Sequence, residues 1–242
     1  MLPIRDENPT LRAPVVTYAL IALNAGFWVL VQGMGAEPAL SRSICLLGLI
    51  PAELLGTARG AIPMGDAVCP VDPSGALLTP LTSMFLHGGW FHLLGNMWFL
   101  HVFGNNVEDV MGRFRFLLFY LLSGLAAAAA QTLAGPGSLI PMVGASGAIG
   151  GVMGSYVLLY PRAGILTFVF LGIFARMMVI PAFVMLGYWF LIQLASGSLS
   201  SGEGGGVAFW AHVGGFVAGL ALTPLFRHRD LLDAHRRMMG FR

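Results

Sequence analysis

Residues 144–160 read GASGAIGGVMGSYVLLY. The stretch is apolar enough for a membrane helix but shorter than the ~20 residues that cross a bilayer unaided. A helix this short suits the centre of a bundle, where other helices wrap it and protein rather than lipid meets its surface. Ser146, Gly150 and Gly154 fall at i, i+4 and i+8, so they share one face. Small residues at that spacing let a second helix come close. Such a serine is ordinarily a packing residue. The rest of the chain decides whether Ser146 is a spacer, a cap or a nucleophile.

Composition sets the class. Of 242 residues, 57% are hydrophobic and 10% are charged, where a soluble domain carries about 25% charged residues. The excess of apolar side chains exceeds what a soluble core of this size can bury, so the expected class is an all-α polytopic membrane protein. Six apolar stretches can be helices, at about 14–33, 90–111, 114–134, 146–160, 178–196 and 208–226. The first is longer than the h-region of a signal peptide and is expected to be retained as a span. The apolar segment 164–175, flanked by Arg162 and Arg176, is too short to span alone and is expected to be a loop at the interface. The largest connection, 34–89, holds six prolines and helix-like pieces such as SICLLGLIPAELL. A connection of that length without structure is uncommon, so it is expected to be a folded excursion resting on the membrane. Residues 195–206, ASGSLSSGEGGG, have the composition of a flexible linker. The expected organisation is a segment 1–13, a membrane domain 14–226 and a basic tail 227–242, which is expected to be a solvated or lipid-contacting helix.

All 13 basic residues are arginine. With six spans, eleven of them fall on the side of the termini, and only Arg42 and Arg59 fall on the other. That bias places both termini in the cytoplasm and the excursion outside. Scattered arginines without aromatic interleaving exclude a nucleic-acid partner. Cys45 and Cys69 both lie in the excursion, either as a disulfide or as two free thiols.

This topology gathers the intramembrane polar residues at one depth. HGGWFHLLGN, GASGAIGG and FWAHVGGFVAG each open a helix entering from the outer side. His92, Asn96, Ser146 and His212 therefore sit within about two turns of that surface. His92 and Asn96 share a face, and His212, Gly215 and Gly219 form a second small-residue stripe. If the two glycine stripes pack together, Ser146 meets His212. A serine bonded to a histidine is the minimum for a nucleophile with its general base. His92, Asn96 and the Ser146 backbone N–H can donate to a developing oxyanion. His92 and His101 are not at metal-binding spacing and no carboxylate joins them, so neither a metal site nor a cofactor is expected. Asn24 and Gln193, lone polar groups in their spans, read as interhelical hydrogen bonds.

GASG at 144–147, AHVGG at 211–215 and HLLGN at 92–96 together resemble the signature motifs of the rhomboid intramembrane serine proteases. The similarity runs from about Pro14 to Leu225. It implies a six-transmembrane-helix bundle with a large outer loop between helices 1 and 2. It also implies a Ser146–His212 dyad without an acid, and His92 and Asn96 on the oxyanion side. Gly215 and Gly219 match close-packing glycines. Glu108 matches an acidic residue that ties the outer loop region to helix 2, and His87 matches a histidine near the water-access region. The chain departs from the family at two places. Leu78 and Thr79 stand where some members have Trp-Arg. Gly150 stands where some carry an aromatic ring stacked on the catalytic histidine, so the imidazole must be oriented by helix packing or water. The resemblance implies hydrolysis of peptide bonds in or near transmembrane segments of single-span or multi-span membrane proteins, with helix 5 and residues 195–206 as the gate. The expected location is the bacterial inner membrane. The alternative readings are a catalytically silent rhomboid-like binder of client membrane proteins and a transporter, though the outer half of the spans holds no carboxylate or arginine.

Overall fold

The computed structural model describes residues 1–64, 67–171, 174–199 and 207–238. In chain order, β1 (Leu2–Asp6) and α1 (Val15–Leu30) lead into α2 (Ala39–Leu47) and α3 (Pro51–Leu54). A hairpin of β2 (Gly60–Met64) and β3 (Ala67–Val71) and a turn of helix α4 (Thr79–Thr82) follow. Next come α5 (Trp90–Met111), α6 (Arg113–Ala134) and α7 (Ser146–Leu159). The strands β4 (Gly164–Leu171) and β5 (Phe174–Pro181) then precede α8 (Ala182–Leu199), α9 (Phe209–Phe226) and α10 (Arg229–Met238). Helices α6, α8 and α9 are long and apolar enough to cross a membrane, while α1 and α7 are apolar but shorter.

The long helices run up and down. At one end, the rings of Trp28 and Trp90 meet edge to face at 5.4 Å, and Gln131 Oε1 accepts from the Ala211 N–H at 3.1 Å. Leu49 of the 34–89 excursion bridges to Met142 beside α7. At the other end, α5 turns straight into α6 through Gly112, whose φ of +75° is left-handed and open to glycine. There α1 begins after Pro14 with no side-chain cap of its own. Glu108 of α5 supplies the cap. Its carboxylate accepts from the N–H groups of Val16 (3.0 Å) and Thr17 (2.7 Å) and from the Thr17 hydroxyl (2.8 Å). A helix start leaves donors unpaired and carries partial positive charge, so a carboxylate satisfies both needs. Glu108 thus ties helix 2 to the start of helix 1, not to the outer loop region as the family resemblance implied.

Helix α7 lies at the centre, and every residue from Gly147 to Tyr156 is buried. Below the glycines, the Tyr156 ring packs edge-on against Phe103 at 5.1 Å and against Tyr160 at 5.4 Å.

Residues 164–181 differ from the expected interface loop. Residues 164–171 and 174–181 pair as the antiparallel strands β4 and β5, and β1 completes a sheet in the order β1-β4-β5. Ile165, Thr167 and Val169 are buried, whereas Phe168 and Phe170 are exposed, which is the two-residue period of a strand. The fifth long helix consequently starts at Ala182, four residues after the expected boundary, because 178–181 belong to β5. The segment before α1 is stitched down along its length. Pro3 O accepts from Trp98 Nε1 at 2.6 Å, Asp6 from the Tyr156 hydroxyl at 2.7 Å, and Asn8 O from Asn106 Nδ2 at 2.7 Å. Asp109 pairs with Arg12 at 3.3 Å. The tail is also not simply solvated, since Leu232 and His235 are buried and His235 Nε2 bonds Pro9 O at 2.8 Å. In the excursion, Cys45 of α2 and Cys69 of β3 form a disulfide. Of the linker 195–206, the first five residues end α8 and the remainder lies outside the described residues.

Candidate active site

Two pairs of glycines bring α7 and α9 together. A β-carbon on Gly150 would stand 3.0 Å from the His212 carbonyl oxygen, and one on Gly154 would collide with that of Phe216. In the other direction, β-carbons on Gly215 and Gly219 would collide with the carbonyls of Gly147 and Gly151. Gly147 and Gly151 are thus part of the seam, although the stripe read from Ser146 passes them by. They also face α6, where added β-carbons would meet Ala127 and Ser123.

At the open end of this seam, Ser146 Oγ lies 2.8 Å from His212 Nε2. Ser146 is the first residue of α7, so its N–H has no carbonyl one turn back within the helix. Just before it, Gly144 holds φ +126°, and a β-carbon there would stand 2.7 Å from His92 Nε2. A side chain at 144 would therefore be strained and would displace the imidazole. His92 Nδ1 accepts from the Gly88 N–H at 3.2 Å. That acceptor role puts the neutral ring's proton on Nε2, the nitrogen beside Gly144. Asn96, one turn further along α5, is buried, and its Nδ2 donor makes no hydrogen bond among the described residues.

These residues line one cavity of about 700 Å³, walled by Ser146, His212, His92, Asn96, Trp189 and Val207 among others. Lining atoms that combine apolar walls with a few convergent polar groups are the usual form of a small binding site. His87 stands behind His92, ring centroids 5.1 Å apart and edge to face. Gln32 clamps its backbone through bonds of 2.8 Å to both its N–H and its carbonyl. Burial, reinforced by the charge His92 can carry, pushes the His87 imidazole down to about 3, so the ring is neutral. His101 lies on another face of α5, between Tyr18 and Trp98.

Gln193 and Trp189 of α8 complete the surroundings of His212. Gln193 Oε1 lies 2.7 Å from His212 Nδ1, and the Trp189 ring tilts over the imidazole at 5.7 Å. The backbone of α9 passes too close to position 150 for any ring to fit there. The indole arrives from α8 instead. Gln193 was legible as an interhelical bond, but its partner was not. The available signal was the i, i+4 placement of Trp189 and Gln193 in an otherwise apolar helix.

A partly buried serine–histidine contact on a glycine-packed helix pair, opening on a cavity in an apolar bundle, defines a class of integral membrane proteins with a serine–histidine site. Comparison with known proteins agrees with that class. The Rhomboid domain profile matches residues 74–229, and the chain belongs to the rhomboid family. It is 36% identical over 148 residues to the Rhomboid protease GluP of Bacillus subtilis, covering 60% of this chain and 25% of that protein. It is 31% identical over 144 residues to the Putative rhomboid protease YdcA of Bacillus subtilis, covering 60% and 61%. It is 40% identical over 78 residues to Rhomboid-like protein 11, chloroplastic, of Arabidopsis thaliana, covering 32% and 28%. The chain thus spans about a quarter to three-fifths of the length of these relatives.

Proposed function

We propose that the chain is an intramembrane serine protease that hydrolyses peptide bonds in or near the transmembrane segments of other membrane proteins. The observation that carries this reading is the 2.8 Å contact between Ser146 Oγ and His212 Nε2 on the wall of the cavity. In this reading α1 and α5–α9 are the six spans, supported by the length and apolarity of α6, α8 and α9 and by the burial of the short α7 among its neighbours. The arginine bias puts both termini in the cytoplasm and the cavity on the outer face. A disulfide in the excursion on that face fits an oxidising space such as the outside of a bacterial inner membrane.

In the reaction, Ser146 Oγ attacks the substrate carbonyl while its proton passes to His212 Nε2. The charge that builds on the carbonyl oxygen faces three donors: the Ser146 N–H, Asn96 Nδ2 and His92 Nε2–H. His212 then protonates the leaving amine, and water entering the cavity releases the acyl group by the reverse proton path. The apolar cavity walls fit the side chains of an unwound membrane helix. The substrate is accordingly a single-span or multi-span membrane protein, and no cofactor takes part.

The test is co-expression with a tagged single-span membrane protein. Ser146→Ala and His212→Ala are each expected to reduce cleavage by about three orders of magnitude or more. Equal cleavage by wild type and Ser146→Ala would remove the assignment. Binding of the tagged protein without cleavage by either form would leave a client binder.

A further inference from the structure

A serine can hand its proton to His212 Nε2 only if that nitrogen carries a lone pair. The ring proton must then sit on Nδ1, and in a partly buried site that N–H needs an acceptor. The acceptor at hand is Gln193 Oε1, 2.7 Å away on α8. We propose that Gln193 is the positioning residue of a Ser146–His212–Gln193 relay, fixing the tautomer and angle of the base. The inference rests on the proteolytic reading above.

The side-chain amide has two orientations with opposite effects. With Oε1 toward the ring, Nδ1–H donates to it, and Nε2 accepts from the Ser146 hydroxyl. With Nε2H2 toward the ring, the amide would donate to Nδ1 and force the ring proton onto the nitrogen facing Ser146. The serine would then be an acceptor, and no base would be left to take its proton. The structure has the first arrangement. During attack, the Oγ–H bond breaks as the Oγ–carbonyl bond forms, and the proton moves to His212 Nε2. The Nδ1 proton stays on the ring throughout, held by the glutamine oxygen. No proton reaches Gln193, and its dipole alone steadies the imidazolium.

Trp189 sits one turn before Gln193 and covers the ring face, so α8 supplies both the in-plane and the out-of-plane restraint. Helix α8 leans on α9 through the stacked rings of Phe190 and Phe216, 4.7 Å apart. Among the residues lining the cavity, His92 on α5 is the other residue that carries an ionisable side chain. Helices α7 and α8 contribute Ser146, Ile149, Met153 and Trp189, none of which does.

The experiment measures how fast a fluorophosphonate probe labels Ser146 in purified full-length protein, at increasing probe concentration and across mildly acid to mildly alkaline pH. Gln193→Leu is expected to lower the saturating labelling rate by about 10- to 100-fold, the rate equivalent of one hydrogen bond to a charged group, with little change in half-saturation. Gln193→Glu is expected to restore the rate to within a few-fold. Its carboxylate should also move the acid limb of the profile to higher pH by favouring the imidazolium. A wild-type rate and pH profile for Gln193→Leu would overturn the proposal. So would equal slowing in both variants with an unmoved acid limb, since that marks a structural role; thermal unfolding of each variant reads the structural effect directly. Absence of labelling in the wild type, or equal labelling of Ser146→Ala, would bring down the protease reading and this inference with it.

Discussion

Gly215 of α9 lies against the carbonyl of Gly147 in α7 with no room between them for a β-carbon. One turn on, Gly219 repeats the arrangement with Gly151. Backbone, not side chain, is the contact surface, and it holds the two helices at the separation at which Ser146 and His212 touch. Gly215→Ala and Gly219→Ala should each destabilise the protein by about 1–3 kcal/mol through overpacking. They should also slow serine-probe labelling by widening the Ser146–His212 gap. Gly187→Ala in α8, where a β-carbon meets nothing within 4 Å, should be neutral or stabilising by up to about 1 kcal/mol. Thermal unfolding in detergent with parallel labelling checks this. Equal behaviour of the three variants would contradict it.

Glu108 closes three donors at the start of α1 from within α5 and is 3% exposed. Glu108→Ala leaves those donors buried and unpaired, at a cost of about 3 kcal/mol. Glu108→Gln retains one acceptor oxygen and should lose about half as much. A melting series for the two substitutions checks the order. A result with Gln as damaging as Ala would assign the effect to charge alone.

Asp6 and His87 give the stability opposite dependences on pH. Burial, only partly offset by bonds from the Tyr156 hydroxyl and the backbone, raises the Asp6 carboxyl from 3.8 to about 6. The folded protein holds that proton more tightly than the unfolded chain. Its contribution is therefore complete below pH 3.8 and is lost as pH rises through about 6. Burial lowers His87 from 6.5 to about 3, so its contribution is complete above pH 6.5 and is lost as pH falls toward 3. Asp6→Asn should raise stability at neutral pH and steepen the loss on acidification. His87→Leu should flatten that loss. Melting temperatures from pH 3.8 to 6.5 provide the measurement. Curves parallel to wild type would refute both assignments.

The Cys45–Cys69 disulfide closes a separation of 24 residues and joins α2 to the β2–β3 hairpin. Neither cysteine lines the cavity. Reduction, or Cys69→Ser, should cost about 3 kcal/mol by releasing that loop in the unfolded chain, while Ser146 labelling stays within a few-fold. Thiol-blocked gels with and without reductant, followed by melting, test the two parts separately.

The parts of the fold that were legible in the sequence are those written in local periodicity. The stripes Ser146–Gly150–Gly154 and His212–Gly215–Gly219 point at each other because spacing along one helix fixes a face. The strand pair β4–β5 was hidden for the converse reason. Its segment ILTFVFL is apolar on both faces, so the alternation seen in burial leaves no trace in residue type. Its sheet partner, moreover, lies about 160 residues earlier in the chain. The partner of Gln193 depends on the rotation and depth of α8 against α9, which neither helix's own sequence specifies. Glu108 was noticed through family resemblance, yet its partners at Val16 and Thr17 follow only from how α1 crosses α5.

The pairing of residues 2–6 with 165–168 orders events during synthesis. The first strand leaves the ribosome long before its partner β4. At about 5–20 residues per second, its partner appears roughly 10–30 s later. Until then the arm cannot close its ladder, and Asp6 cannot meet Tyr156. Residues 2–6 are therefore fastened only after α1 and α5–α7 have been synthesised. A nascent chain arrested before residue 165 should hold its N-terminal arm open to protease, and one arrested well past residue 181 should hold it protected.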